Sequence, residues 1–452
     1  MIYNVTDYGV MPGQSALQTE AIQAVIDLCY RNGGGEVRLP TGTYRAAGLM
    51  LRSGVTLHLM ENTVLEGSHD PADYEYYLHD EFADPEDGTF SPLLPCSDDL
   101  FEKPARISMT TARSPWHKAM IRAIRANDVA VIGEEGSAID GVDCYDPHGE
   151  NNYRGPHGID FFQCRNIMLR GYTVRNCGNW AHILFFCENI RATNLKVTGG
   201  HDGFHVRSCD NILLQGADIR SGDDAVAGFD NNNMIVRDCY LNSACNAVRS
   251  AGCNVLFENC VMEGPGDYVF RGSLKKETQE KSLPTDENGR YNMLTGWCYF
   301  GDDSFIIRQQ PSNITLSNCK IIGADRMIHY NYSGSDPWHS NRPLANLTLR
   351  NVVGEGIGMP LVLYGDKELP IDITLDNVHI TFCEGYPAED CMYLCNYRKL
   401  SMHNVSFSGT TGDKPIIRRW NGNNGEITAE NGKVEDIAVI ANTDRPFSCD
   451  RF

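Results

Sequence analysis

Apolar and polar residues alternate over short spans along most of the chain, the period-2 pattern of half-buried strands. From about residue 120 the spans recur as N-[IVM]-x-[LIV]-x-[GND]. The leading asparagines are Asn127 (NDVAVIG), Asn166 (NIMLRG), Asn189 (NIRATN), Asn211 (NILLQG), Asn233 (NMIVRD), Asn254 (NVLFEN), Asn313 (NITLSN) and Asn346 (NLTLRN). Looser members end at Asn377 (PIDITLDN) and Asn404 (KLSMHN). The steps from Asn166 are 23, 22, 22 and 21 residues. A period in this range marks a solenoid, and the LxxLxLxxN pattern of leucine-rich repeats is absent. Each repeat holds two or three short strands and no helical stretch. This predicts an all-β chain, a right-handed parallel β-helix, whose stacked turns share one core and lie about 4.8 Å apart.

The N-terminal region differs. Ser15 to Arg31 carries an apolar stripe of Leu17, Ala21, Ile22, Val25, Ile26 and Leu28, which predicts a helix ended by Gly33-Gly34-Gly35. Residues 1–50 then read as a cap over the open end of the solenoid, covering edges that would otherwise pair with other chains. Polar runs at 140–156, 272–291 and 332–343 interrupt the period and read as loops projecting from the stack. The length of 452 residues by itself suggests two or three domains. The repeat replaces that with a single β-helix domain over 1–452.

Matching positions on successive turns form ladders. Cys164, Cys187 and Cys209 each stand two residues before their asparagine, and Cys239, Cys260 and Cys319 each six after. Stacked, buried thiols account for these better than redox chemistry. The asparagines are expected to hydrogen-bond laterally at turns. With 17 cysteines, an odd number, and no CxxC or Cys/His metal spacing, a reduced chain is the plainer expectation. The first residues lack a basic start and apolar stretch, so a cytoplasmic location is expected. There is no run of about eighteen apolar residues. A formal charge of -20 argues against nucleic acid and anionic membranes as partners, and makes a long polyanion an awkward one. A locally basic site for an acidic substrate stays open, as does self-association into a homo-oligomer.

The densest polar constellation lies on consecutive turns: Gly200-His201-Asp202-Gly203-Phe204-His205-Val206-Arg207, then Ser221-Gly222-Asp223-Asp224. Asp202 and Asp223 are 21 residues apart, one turn, and an aligned ladder would bring them to roughly 5 Å. Carboxylates this close resist joint ionisation, so one holds its proton and can act as an acid while another acts as a base. That pairing suits glycosidic cleavage. A GDD alone is a weak signal, since Gly301-Asp302-Asp303 repeats it. A metal site is the competing use of three carboxylates, with His201 and His205 nearby, but no metal or other cofactor is expected. Aromatic, cationic and amide groups suited to a sugar groove cluster within about four turns: Trp180, His182, His201, His205, Arg207, Asn246, Arg249 and Arg271. Trp338 and His339 stand on the last loop.

These features together resemble the polygalacturonase-type glycoside hydrolases of family 28. NVTDYGV, ALQTEAIQAVIDLC, GGGEVRLPTGTY and VTLHLMENTVLEGSHDPADY resemble the family's entry strand, capping helix and following strands. The resemblance covers most of residues 4–320. It implies three catalytic aspartates from an NTD and a GDD motif. Here the first reads Gly200-His201-Asp202, keeping only the aspartate, and the second is intact as Gly222-Asp223-Asp224. By resemblance Asp223 is the general acid, Asp202 and Asp224 hold the attacking water, and hydrolysis inverts the anomeric centre without a metal. The family's GHG histidine is missing from Ser243-Ala244-Cys245-Asn246-Ala247. Its RIK motif, which grips a galacturonate carboxylate, is not kept in Tyr268-Val269-Phe270-Arg271-Gly272. The substrate implied is a pectic or related plant-derived oligosaccharide, attacked exo-wise. A polysaccharide lyase, an intramolecular glycosyltransferase, and a non-catalytic carbohydrate-binding β-helix are the alternatives.

Overall fold

The computed structural model describes residues 1–74, 118–279, 289–302, 307–332, 338–430 and 438–441. Its residues group into two compact units: 1–223 with 268–290 and 304–306, and 224–267 with 291–303 and 307–452. In the first, Ile167 pairs with Ile190 and Ile190 with Ile212, while Leu169, Ala192 and Leu214 make the next rung. These six side chains are buried, and the residues between them face outward. In the second, Leu347, Ile373 and Leu400 stack in the same way. Among the described residues the paired strands within each unit run parallel, with isolated antiparallel bridges only at Tyr145–Arg154 and Phe270–Arg290, and the architecture is the right-handed parallel β-helix that the period predicts.

The N-terminal helix spans Thr19–Arg31 and buries Ile22, Val25, Ile26 and Cys29. It starts four residues later than its apolar pattern suggests. The Gln18 side chain is spent on Met11, bonding both its backbone N and O at 3.0 Å, and Gln18 is itself non-helical. Leu17 is left exposed. Gln23 anchors the helix by bonding the backbone N and O of Met50 at 2.8 and 2.9 Å, which satisfies part of the strand Leu49–Leu51.

The asparagines do more than turn the chain. Asn166, Asn189 and Asn211 have φ of 54°, 58° and 58°, the left-handed region that asparagine tolerates. Each passes a side-chain amide bond to the coil before it: Asn189 to Asn166 at 3.0 Å and Asn211 to Asn189 at 3.1 Å. Asn166 donates to Asp128, not Asn127, because Arg165 is the residue opposite Asn127. The second unit repeats the device through Asn233, Asn254, Asn313 and Asn346. A second ladder there runs from Asp238 through Asn259, Asn318, Asn351 and Asn377 to Asn404.

The cysteine ladder is also present. Cys164, Cys187 and Cys209 are buried, with backbone N–H of one coil on the sulfur of the next at 3.4 and 3.3 Å. Burial pushes the Cys187 thiol well above its usual range. Of the three predicted loops, 140–156 is fully described and holds a short 3-10 turn at Glu150–Asn152. Residues 280–288 and 333–337 of the other two lie outside the described residues.

Candidate active site

Two turns of the first unit carry the acidic residues. Asp202 stands between the strands Lys196–Gly199 and Phe204–Arg207, and Asp223 follows Asp218–Ser221 by two residues. Gly199 pairs with Ser221, a step of 22 residues, so Asp202 and Asp223 lie on successive coils but one residue out of direct alignment. Glycine is required at both turns. A Cβ on Gly222 would fall 2.0 Å from the Val269 carbonyl oxygen and 2.8 Å from Gly200 Cα. A Cβ on Gly200 would meet Arg271 Cγ and Cδ at 2.7 Å. The methylenes of Arg271 therefore take the space that the family's NTD asparagine side chain would need.

Asp202 is 4 % exposed and firmly held. His205 Nδ1 donates to its Oδ2 at 2.6 Å, and Arg207 Nε donates to His205 Nε2 at 2.7 Å. The two bonds fix His205 as the Nδ1–H tautomer. Trp180 lies flat on that ring, 3.9 Å away with 7° between planes, and Arg207 sits 5.3 Å from the Trp180 centroid. Trp180, His205 and Arg207 are thus buried supports of Asp202, not exposed sugar platforms. Trp180 belongs to a core cluster with Met50, Ile124, Phe162, Ile183 and Phe185.

Asp223 is 9 % exposed, and its Oδ2 accepts from Arg154 Nη2 at 3.0 Å. Arg154 also donates to Asn179 Oδ1 at 3.3 Å, and Asn179 donates to Glu150 at 3.2 Å. Burial opposes the charge on Arg154, but Glu150, Tyr153, Asp223 and Asp202 outweigh it and hold the guanidinium well above its ordinary value. Sequence reasoning picked out the loop but missed Arg154, Tyr153 and Glu150. A loop has no period to say which coil its residues will reach.

His201 is buried and stacked on Tyr153, with ring centroids 5.9 Å apart. Burial, then Arg154, Arg271 and His157, hold it well below the usual histidine range, so the ring is neutral. Arg271 is 2 % exposed and donates to Asp143 Oδ1 at 2.5 Å and to the Gln279 carbonyl at 3.0 Å. It ties two loops together. His182 is a core residue, with Tyr172 Oη 3.2 Å from Nε2 and the Gly203 carbonyl 3.1 Å from Nδ1. His339 is likewise interior, its Nδ1 accepting from Asn331 N at 3.3 Å and its Nε2 beside Cys298. Both histidines, read from the sequence as sugar contacts, are buried.

In the second unit Asp224 is buried. Asn246 Nδ2 donates to it at 2.7 Å, and Thr295 donates to Asn246 Oδ1 at 2.5 Å, which sets the orientation of the amide. Asn246 lies in the stretch that lacks the family histidine. Arg249 reaches Asp224 at 3.4 Å and lies 4.0 Å over Phe300 and 5.0 Å from Trp338. Trp338 is 42 % exposed, the best-presented aromatic of those singled out.

Parts of the chain resemble known proteins. Residues 105–248 match Glycosyl hydrolases family 28, a span that contains Asp202, Asp223, Asp224 and Asn246. The chain is 28% identical over 131 residues to polygalacturonase QRT2 of Arabidopsis thaliana, covering 28% of this chain and 25% of that one. It is 37% identical over 73 residues to an exo-poly-alpha-D-galacturonosidase of Dickeya chrysanthemi, covering 16% and 12%. These matches span a quarter or less of either relative. The fold is similar to that of a family 28 exopolygalacturonase of Yersinia enterocolitica, with a TM-score of 0.63, 18% identity, and coverage of 99% of this chain and 79% of that one. The chain thus carries, within a parallel β-helix fold, a segment that matches glycosyl hydrolases family 28.

Proposed function

We propose that the protein is an inverting glycoside hydrolase that removes sugars exo-wise from pectic or related plant-derived oligosaccharides. The observation that carries this is the pair of buried aspartates on successive coils, Asp202 and Asp223, inside the segment that matches the family. Asp223 acts as general acid and protonates the leaving glycosidic oxygen. Asp202 draws the proton from a water that attacks the anomeric carbon from the opposite face. His205 and Arg207 aim Asp202, and Asn246 aims Asp224. Asp223 Oδ2 is engaged by Arg154, so the pair parts before that oxygen can face the substrate. Exposed Trp338 with Arg249 offers a stacking face for a sugar ring.

The test is a panel of pectic oligosaccharides with product size and anomer read directly. One sugar released per event, with inverted configuration, is expected. Asp223→Asn should lower turnover by about 10³-fold or more while the protein melts normally. Turnover retained by that variant would defeat the reading. A chelator should leave turnover unchanged and no unsaturated-uronide absorbance should appear; either result reversed points to a lyase. A reducing cytoplasm is proposed as the setting, supported by the fifteen described cysteines, all free thiols.

A further inference from the structure

Val142 and Asp143, at the start of the 140–156 loop, have φ of 49° and 51°. The left-handed region is a genuine outlier for a β-branched valine. Two such residues in a row persist only where their surroundings hold them. Asp140 Oδ1 accepts from Val142 N at 3.0 Å, and the Asn176 carbonyl accepts from Asp143 N at 2.6 Å. Asp140 is in turn tied to Arg175 at 2.7 Å and to Asn176 at 3.2 Å. The strained turn delivers one aimed group, the Asp143 carboxylate, whose Oδ1 accepts from Arg271 Nη1 at 2.5 Å.

Both members of this ion pair are buried. A buried pair adds little stability over apolar residues of the same volume, but it does fix geometry. Arg271 is gripped on its other side as well: Nη2 donates to the Gln279 carbonyl at 3.0 Å, and Gln279 Nε2 donates to the Arg271 carbonyl at 3.1 Å. Held in this way, its stem occupies the place of a side chain on Gly200, and two residues earlier the Val269 carbonyl occupies that of a side chain on Gly222. Those glycines lead into Asp202 and Asp223. The two turns also meet each other, with Gly222 N donating to the Gly199 carbonyl at 2.8 Å. One short segment, 269–271, therefore bears on both aspartate turns at once.

We infer that Asp143 is a positioning residue: through Arg271 it presses 269–271 onto the turns at Gly200 and Gly222 and so fixes how Asp202 and Asp223 stand to one another. Neither Asp143 nor Arg271 meets substrate. The Arg271 guanidinium, expected from the sequence to contact a sugar, is one end of a brace. An acid and a base that act on opposite faces of one ring depend on their separation, and a group braced by locked neighbours keeps it. The inference rests on the hydrolase reading for its effect on turnover, and on the fold alone for the brace.

The test uses the full chain and the double variant Asp143→Asn/Arg271→Met, which removes both charges together and keeps a stem over Gly200. Asp143→Asn alone leaves Arg271 an acceptor and serves as the conservative variant. Circular dichroism and melting confirm folding. Hydrogen exchange at the Gly222 amide should quicken about ten-fold or more in the double variant and less than about three-fold in the single one. On pectic oligosaccharides that the wild type turns over, kcat of the double variant should fall about 10–100-fold with KM changed less than about three-fold, and the single variant should recover most of that loss. Arg271→Lys, which cannot span Asp143 and Gln279 as the fork does, should shift both readouts in the same direction and stands in if the double variant does not fold. Unchanged exchange at Gly222, unchanged kcat, or a loss confined to KM in a folded variant would each overturn the brace. A wild type that turns over no pectic oligosaccharide defeats the hydrolase reading alone, and exchange at Gly222 still decides the brace.

Discussion

His205 touches Asp202, Arg207 and Trp180 at once, so its ring has no freedom left. Such a residue acts through the carboxylate that it aims. His205→Phe should lower kcat by about 10–100-fold with a smaller change in KM, because the cost of misplacing a base falls on the transition state. The limb of the pH–rate profile that reports the base should move as well, and His205→Asn, which keeps a donor, should restore part of the rate. A profile and kcat unchanged in His205→Phe would show the contact to be packing. The sequence made His205, Arg207 and Trp180 visible as a cluster but not their task. Distance along the chain brings residues to the same turn, and only burial separates a group that meets substrate from one that braces another group. Arg154 was out of reach for the opposite reason, being 69 residues from Asp223 on a loop without a repeat.

At the scale of the element, the turn is the unit that does the specifying. Asn254 has φ 56°, donates to Asn233 and accepts from Asn313. Asn254→Val forfeits both bonds and forces a β-branched residue into the left-handed region, so about 2–4 kcal/mol of destabilisation is expected in denaturant unfolding. Asn254→Asp, which keeps the acceptor, should lose less than half as much. Gly222→Ala tests the turn that carries Asp223. Its methyl group would meet the Val269 carbonyl, so a loss of about 1–3 kcal/mol should come with a fall in turnover as the 268–271 segment is displaced. Turns and ladders were legible because a coil repeats its chemistry at a fixed interval. The helix start was not, since the Gln18 side chain decides it by bonding to Met11, outside any periodic pattern.

For the molecule as a whole, buried histidines set the response to acid. Burial pushes His182 down from 6.5 to about 4, against an opposing bond with the Gly203 carbonyl, and holds His201 and His329 well below 6.5. An unfolded chain then binds protons that the folded one refuses. The stability His182 contributes is complete above about pH 6.5 and is lost as pH falls towards 4, a total of about 3 kcal/mol. Thermal melting followed from pH 7 to pH 4 should show a steady fall, shallower in His182→Phe; a flat profile would contradict the placement of these rings. The fold class was legible here from one number, the repeat length. The grouping into two units was not, because the step from Asn211 to Asn233, which passes the 223/224 boundary, is 22 residues like its neighbours.

The second asparagine bond of Asn254 reaches across 59 residues, while its first spans 21, and the two differ in length by 0.3 Å. The cost of closing those chain segments differs correspondingly little. A loop nearly three times longer adds only about 0.9 kcal/mol of closure entropy. Each coil can therefore lengthen at one corner and still meet its neighbour in register. A segment such as 268–290, which brings Arg271 to Gly200, is close to free in the currency of chain entropy, so new substrate contacts can be tried there without the stack having to be rebuilt.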